Sequence, residues 1–323
     1  MPWKECKPMD QRIQFVGRLL GGEKMAALCR EFGISRPTGY KIFNRYKNLG
    51  LEGLEDRSRR RYKAEGTPLS DARTPNGLWC ADYKGEFLLG NHQYCYPLTI
   101  TDYRSRYLLA CEGLESTKTP FAFTVFERVF KEFGLPNAIR TDNGLPFASP
   151  NALFGLSRLS VWWLRLGINI ERIKPGHPEQ NGRHERMHLT LKKEATKPAS
   201  YNFLQQQARF DDFVDVYNNE RPHQALGGLY PGDVYTPSAR PYRPPEEPEY
   251  PFHDRAIKVT KCGRVCIGQR KVNLSTVFAG QKVGIREVAD RIWLVSFMEY
   301  DLGFFDEDEG RVEPATNPFV PEL

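Results

Sequence analysis

Three acidic residues of this chain are placed so that metal-assisted chemistry could be built from them. They are Asp82 in Trp79-Cys80-Ala81-Asp82-Tyr83, Asp142 in Arg140-Thr141-Asp142-Asn143-Gly144, and Glu185 in Asn181-Gly182-Arg183-His184-Glu185-Arg186. The first two sit at the ends of short β-branched or aromatic runs, and the third opens an amphipathic helix. A strand acid, a strand-end acid and a helix acid can gather carboxylates around paired Mg²⁺ ions. Magnesium takes oxygen ligands in near-octahedral geometry and keeps several waters. Two such ions activate an attacking oxygen and stabilise the leaving oxygen of a phosphodiester. Taken singly, Asp142 before Asn143-Gly144 reads as a turn and Glu185 as a solvated helix residue; it is their order along the chain that points to chemistry.

Other residues compete for these places. Asp102 precedes Tyr103-Arg104-Ser105-Arg106 and reads as the residue that orders that turn, while Glu179 falls on the approach to the helix. Lys192 and Lys193 follow Glu185 by two helical turns, on or near its face, and could grip phosphates. A rival motif overlaps the third acid: His184-Glu185-Arg186-Met187-His188 spells the zinc-peptidase pattern of two imidazoles one turn apart with a glutamate base. Its surroundings are polar and basic, no third ligand follows, and the reading leaves Asp82 and Asp142 unexplained.

The segments around the acids predict an α/β unit over residues 75–230. Strands are expected at Leu78–Tyr83, Gln93–Thr101 and Tyr107–Glu112, a helix at Thr119–Phe133 ended by Gly134 and Pro136, and a short strand at Ala138–Thr141. A mainly helical stretch follows over Asn151–Leu166, then a strand at Ile168–Ile173, then a helix from near Gln180 through Glu194. This β-β-β-α-β-α-β-α order fits a ribonuclease-H-like mixed sheet. Such a sheet sets the end of the first strand beside the end of the fourth, so Asp82 and Asp142 would converge and Glu185 would reach in from the last helix. Asp82 is then the acid shared by two ions, with Asp142 and Glu185 each completing one.

Composition bounds the rest. The chain has 323 residues, 40% hydrophobic and 27% charged, enough for two or three domains with separate cores. No apolar run of membrane-spanning length and no signal pattern appears, so a cytoplasmic, nucleoid-associated location is expected. The 7 cysteines are odd in number, scattered and without a Cys-x-x-Cys pair, which argues against a disulfide framework or zinc ribbon. Cys262 and Cys266 read as small buried hydrophobes. Net charge is +6, but residues 1–64 alone carry +8, a basic segment on a near-neutral body.

That segment is patterned for folding. Helices are predicted over about 10–20, 23–32 and 35–48, with Gly33-Ile34-Ser35 as the turn, Ser35 as N-cap and Pro37 in the first helical turn. Residues 1–50 thus read as a helix-turn-helix domain, with Arg36, Lys41, Arg45 and Lys47 as candidate DNA contacts. Residues 51–74 read as a basic linker whose Arg59, Arg60 and Arg61 could lie along phosphates. Residues 231–252 hold 7 prolines and read as a stiff extended linker. Five short strands over 253–315 suggest a small β-barrel with a basic face at Lys258, Lys261, Arg264, Arg270 and Lys271.

At Asp82, Asp142 and Glu185, and at Tyr217-Asn218-Asn219-Glu220-Arg221-Pro222-His223-Gln224-Ala225-Leu226, the chain resembles bacterial insertion-sequence transposases of the DDE type, built on a retroviral-integrase-like core. The resemblance runs from Met1 to about Pro314. It departs at 62–77, where many such transposases carry a second helical DNA-binding segment. The resemblance implies a polynucleotidyl transferase. It would hydrolyse phosphodiesters at element ends with two Mg²⁺ ions (Mn²⁺ being the alternative) and transfer the freed 3′-hydroxyl into target DNA. The implied partners are double-stranded DNA and further copies of the chain, as homodimer or larger; no membrane is implied. A non-catalytic DNA-binding remnant acting as repressor is the second reading.

Overall fold

The computed structural model describes residues 8–54, 69–149, 152–174, 177–268, 270–308, 310–315, 317 and 319. Arg59, Arg60 and Arg61 lie outside these, as does most of the expected basic linker. Among the described residues no helix is long and apolar enough to cross a membrane.

The N-terminal unit is three helices, α1 (Pro8–Leu20), α2 (Met25–Glu31) and α3 (Arg36–Leu49), close to the predicted spans. Phe15, Val16, Leu28 and Cys29 are buried between them. Ser35 caps α3, its hydroxyl accepting from the Thr38 N–H. Gly39 permits the close crossing of α3 and α2: a Cβ there would stand 2.5 Å from Cys29 Sγ and 2.8 Å from Met25 Sδ.

The central unit comprises β1 (Trp79–Tyr83), β2 (Phe87–Leu88), β3 (Tyr94–Asp102), β4 (Leu108–Leu114), α4 (Thr119–Phe133), β5 (Ala138–Thr141), α5 (Arg158–Arg165), β6 (Asn169–Arg172), α6 (Gly182–Glu194), α7 (Phe203–Asn219) and the short α8 (Pro231–Val234). β3 runs antiparallel to β1 and β4, and β1, β5 and β6 run parallel. Across the sheet β4 and β2 flank β3, followed by β1, β5 and β6, which is the ribonuclease-H-like mixed arrangement. α4 buries Ala122, Val125, Phe126, Val129 and Phe130, the i, i+3, i+4, i+7, i+8 stripe of a helix lying on a sheet. Gly134, at φ +78, ends it, its N–H returning to the Phe130 carbonyl. With Trp79, Ile100, Ile139, Trp162 and Trp163 this stripe forms the main core; each fully buried large apolar side chain contributes roughly 1.5–3 kcal/mol. Met187 and Leu191 of α6 and Phe210 and Phe213 of α7 cover the opposite face.

The proline-rich segment after α8, expected as a stiff extended linker, is extended and docked on the central unit. Tyr235 stacks on Tyr107 with centroids 4.4 Å apart. Arg240 donates to the carbonyls of Pro136 (2.8 Å), Leu166 (3.0 Å) and Gly167 (2.9 Å). Guanidinium forks and tyrosine rings, not composition, decide that this segment is a strap.

The C-terminal unit contains β7 (Arg255–Lys258), β8 (Arg264–Ile267), β9 (Arg270–Asn273), β10 (Lys282–Ala289), β11 (Ile292–Phe297), β12 (Tyr300–Asp306) and β13 (Arg311–Pro314). The hydrogen-bond path β13-β12-β11-β10-β7 is open and β8-β9 is a separate hairpin, so the expected closed barrel does not form among the described residues. The hairpin strands are four residues each and cover the open side through side chains instead. Val265, Ile267 and Val272 pack with Val283, Val295 and Phe305, and with Val161 and Leu164 of α5. β12 and β13 are strands that the sequence pattern did not reveal. Cys262 and Cys266 are exposed, contrary to expectation: β8 turns Val265 and Ile267 inward, so Cys266 faces out, and Cys262 lies in the turn before the strand.

Candidate active site

Asp82 and Asp142 lie at the same ends of neighbouring parallel strands. Trp79 is opposite Ile139 and Cys80 opposite Arg140, so continuing this register two residues brings Asp82 level with Asp142, just past the end of β5. Asp82 accepts from the Tyr83 N–H at 2.8 Å and Asp142 from the Gly144 N–H at 3.1 Å, each carboxylate held by the turn that follows it. The Asn143 amide donates to the Ile173 carbonyl at 2.6 Å, tying the loop after Asp142 to the chain beyond β6. Phe147 then packs on Tyr83, with ring centroids 5.8 Å apart.

Glu185 sits in the first turn of α6, where the positive helix end favours an acid, and its side chain is exposed. Burial drives the Asp82 carboxyl up to about 7, and the Asp142 and Glu185 carboxylates push it in the same direction. Burial also raises Asp142. Negative charge is therefore crowded at this end of the sheet. The donor set is oxygen-only, the chemistry a hard divalent cation takes. Among the described residues, however, no three His, Cys, Asp or Glu side chains stand at the spacing of a metal cluster.

The helix bearing Glu185 is fastened by its histidines. His184 and His188 are buried beneath α6, and both Nε2 atoms meet the Thr99 hydroxyl, at 2.8 and 2.7 Å. Thr99 Oγ1 in turn donates to the Asp82 carbonyl at 3.1 Å, and His184 Nδ1 pairs with Thr101 Oγ1 at 2.8 Å. One hydroxyl has one proton to give, so Thr99 donates it to Asp82 and accepts from two neutral imidazoles. Burial agrees, lowering His184 to about 3 and His188 to about 2. His188 Nδ1 is 3.9 Å from Asp82 Oδ2, too far for a hydrogen bond. The zinc-peptidase reading fails here: three of the four ring nitrogens are occupied by threonines, and Glu185 points out, away from the pair.

Arg140 was not singled out from the sequence, yet it holds the frame. It is 2% exposed. Its Nε donates to Glu171 Oε2 at 2.9 Å, Nη2 to the Ser70 carbonyl at 2.9 Å and Nη1 to the Gln180 carbonyl at 3.3 Å. One side chain thus links β5, β6 and the approach to α6. An arginine between apolar strand residues two positions before a candidate catalytic acid was the available signal. Asp102 orders its turn as expected, accepting from the Ser105 N–H and Oγ and from the Asn76 N–H. Lys84, also not foreseen, has its pKa lowered by burial and by Lys192, with Asp82 opposing. Lys192 and Lys193 are exposed, and Lys192 lies toward the acidic end of the sheet.

The N-terminal candidates divide. Lys41 and Lys47 are exposed, Lys47 over the Phe43 ring, and the side chain of Arg45 lies outside the description. Arg36 is not a free cation. It is 7% exposed, its Nε and Nη2 donate to the two Asp306 oxygens at 2.9 and 3.0 Å, and its Nη1 meets Asp308 at 2.9 Å. A bidentate carboxylate saturates the guanidinium fork that a phosphate would use. Ser35 donates to Glu313 Oε2 at 2.7 Å beside it, so the start of α3 is docked on the C-terminal sheet.

Known proteins and families share sequence with this chain. Two families described as integrase core domains match residues 72–178 and 166–231, and one described as a helix-turn-helix domain matches residues 11–62. An insertion element IS407 protein of Burkholderia multivorans is 24% identical over 217 residues, covering 67% of this chain and 75% of that protein. By these matches the chain is similar to bacterial insertion-element proteins and carries integrase-core and helix-turn-helix sequences. An IS476 protein of Xanthomonas euvesicatoria is 26% identical over 193 residues, 59% of this chain but only 53% of that protein's length. A Gag-Pol polyprotein of baboon endogenous virus is 35% identical over 104 residues, 32% of the chain and 6% of the polyprotein. Among solved structures, the HTLV-2 integrase catalytic core domain in complex with magnesium covers 50% of this chain and 98% of its own, at 15% identity and a TM-score of 0.40.

Proposed function

We propose that this chain is a metal-dependent DNA transposase that cuts phosphodiesters at the ends of its element and joins the freed 3′-hydroxyl to target DNA. What supports this reading is the register that sets Asp82 of β1 level with Asp142, just past the end of the parallel β5, with the Asp142 and Glu185 carboxylates both raising Asp82. In this reading Asp82 is shared by two Mg²⁺ or Mn²⁺ ions, and Asp142 and Glu185 complete one each. When bound, the ions supply activation of the attacking oxygen and stabilisation of the leaving oxygen. The chain's own residues then do three things. Arg140 and Thr99 hold the acids in register, α6 carries Glu185 to the site, and Lys84, Lys192 and Lys193 draw DNA phosphates toward it.

The domain reading that goes with this is a helix-turn-helix unit at 1–50, a basic linker at 51–74, the catalytic core at 75–230, a strap at 231–252 and an open antiparallel sheet at 253–315. Lys41, Arg45 and Lys47 are the proposed end-recognition cations, and Arg59, Arg60 and Arg61 the proposed phosphate contacts before the core. Action on two ends at once requires a dimer or larger assembly. The test is nicking and strand transfer by the full chain on duplexes carrying the element ends, with Mg²⁺ or Mn²⁺. Cutting that is metal-dependent and lost in Asp82→Asn supports the proposal. DNA binding without cutting under either metal overturns it in favour of a repressor.

A further inference from the structure

On the flank of α6 away from Glu185 lies a cavity of about 440 Å³ lined by Arg106, Arg183, Arg186, Arg221, His223 and Tyr217 among others. Helical spacing separates the flanks. Residues 183, 186 and 190 share one side, 185 and 192 the other, and the buried His184 and His188 lie between. Four guanidiniums surround the cavity, and no acidic side chain among the described residues lines it. Of the four, Arg221 has a carboxylate partner, Glu194 at 2.7 Å, in an exposed pair. Arg183 stacks its guanidinium over the Tyr103 ring at 4.0 Å.

Two nitrogens of the lining are buried without a hydrogen-bond partner, Arg106 Nε and His223 Nε2. A buried guanidinium N–H such as Arg106 Nε ordinarily finds a partner; the His223 ring, which burial keeps neutral, hydrogen-bonds the Tyr217 backbone and leaves Nε2 as an acceptor. Arg106 also adopts φ +66, a left-handed conformation uncommon for a long side chain. It is thus held in a strained turn, its pKa lowered by burial and by Arg183. A concentration of cations, with an unfilled buried donor on a strained arginine, around one hollow is what an anion with several acceptor oxygens would satisfy.

We propose that this cavity is a binding site for a backbone phosphate of the DNA on which the chain acts, seating the strand after it crosses α6 from the acidic end. The assignment rests on the transposase reading for its choice of DNA, and it adds Arg106, Arg183, Arg186 and Arg221 as positioning residues. Free inorganic phosphate has the same chemistry and is the competing occupant.

The experiment uses the full chain carrying Asp142→Asn, so that DNA stays intact, and follows binding to a duplex by fluorescence anisotropy across a sodium chloride series. Arg186→Gln, at an exposed position, and Arg106→Gln should each make the log–log salt slope shallower by about one and weaken binding roughly tenfold. Arg128→Gln, on the far side of the core, should leave the slope unchanged. Unchanged slopes in both cavity variants, or an equal loss in Arg128→Gln, overturns the proposal. Protection of the chain against thermal unfolding by inorganic phosphate, lost in Arg186→Gln while DNA binding is unaffected, overturns the DNA assignment in favour of a small anion. Cutting is not read here, so an active Asp82→Asn chain would remove the metal-site reading and leave the salt-slope result standing.

Discussion

The helices α3 and α6 have similar sequences in outline and opposite fates. Both are short, basic, and begin after a turn, and both carry an ionisable residue in the first turn that could do chemistry. α3 buries that residue: Arg36 is clamped by Asp306 and Asp308 on the C-terminal sheet. α6 exposes its own, Glu185, and instead buries two neutral histidines against Thr99 and Thr101. The difference teaches that charge type along a helix does not say which charge is free to act. A long guanidinium can reach a carboxylate on another unit and be saturated by it. A first-turn glutamate beside the crowded carboxylates Asp82 and Asp142 stays outward, available to a cation.

The comparison can be broken from the α6 side first. Asp142→Asn or Glu185→Gln should reduce nicking and strand transfer to background while circular dichroism and melting stay unchanged; retained cutting would end the metal-site reading. Next in size is the frame that holds the acids. Arg140→Met leaves Glu171 buried and unpaired and should cost about 3–5 kcal/mol, read as a lowered urea midpoint. The α3 clamp should yield a smaller loss. Arg36→Ala should destabilise by about 3 kcal/mol, because it takes the guanidinium away from the buried Asp306 carboxylate, and calorimetry should resolve the N-terminal helices as a separate, earlier transition. If the main transition shifts without splitting, the docking of α3 is not what couples the units.

Thr99→Val removes the single hydroxyl shared by both imidazoles and the Asp82 carbonyl. It should lower stability by about 1–3 kcal/mol and cut activity through the register of Glu185, with metal affinity weakened in parallel. An active, fully stable Thr99→Val chain would mean that the histidines fill space only. The smallest expected effect is at the outward cations: Lys192→Ala with Lys193→Ala should leave stability unchanged and make the salt slope of DNA binding shallower by about one per lost phosphate contact.

Much of the core was legible because its signals are local. The α4 stripe, the capping of α3 by Ser35, the glycine stop at Gly134 and the alternating strands each depend on neighbours within a turn or a strand. Their boundaries fell within a few residues of the predicted spans. The misses share a cause. Arg36, Arg140, Arg240 and Arg106 look alike in sequence, as exposed cations, and the structure gives them a clamp, a frame, a strap and a cavity wall. β12 and β13 were overlooked because their residues fit turns and acidic loops until a neighbouring strand supplies partners. The barrel did not close because closure depends on edge strands meeting in space, which local pattern does not report.

The order of acids along the chain, the basic N-terminal helices, and the alternation of strands and helices were set by the sequence alone, since each follows from short-range periodicity and residue chemistry. The tertiary structure alone decided which charges stay free. It brought Asp82 level with Asp142 through strand register and sealed His184 and His188 under the helix. It spent the Arg36 fork on Asp306, some 270 positions away, and gathered four arginines from three segments around one hollow. Those outcomes depend on distances between residues far apart in the chain, and Coulomb and hydrogen-bond energies are functions of distance in space, not of position in sequence.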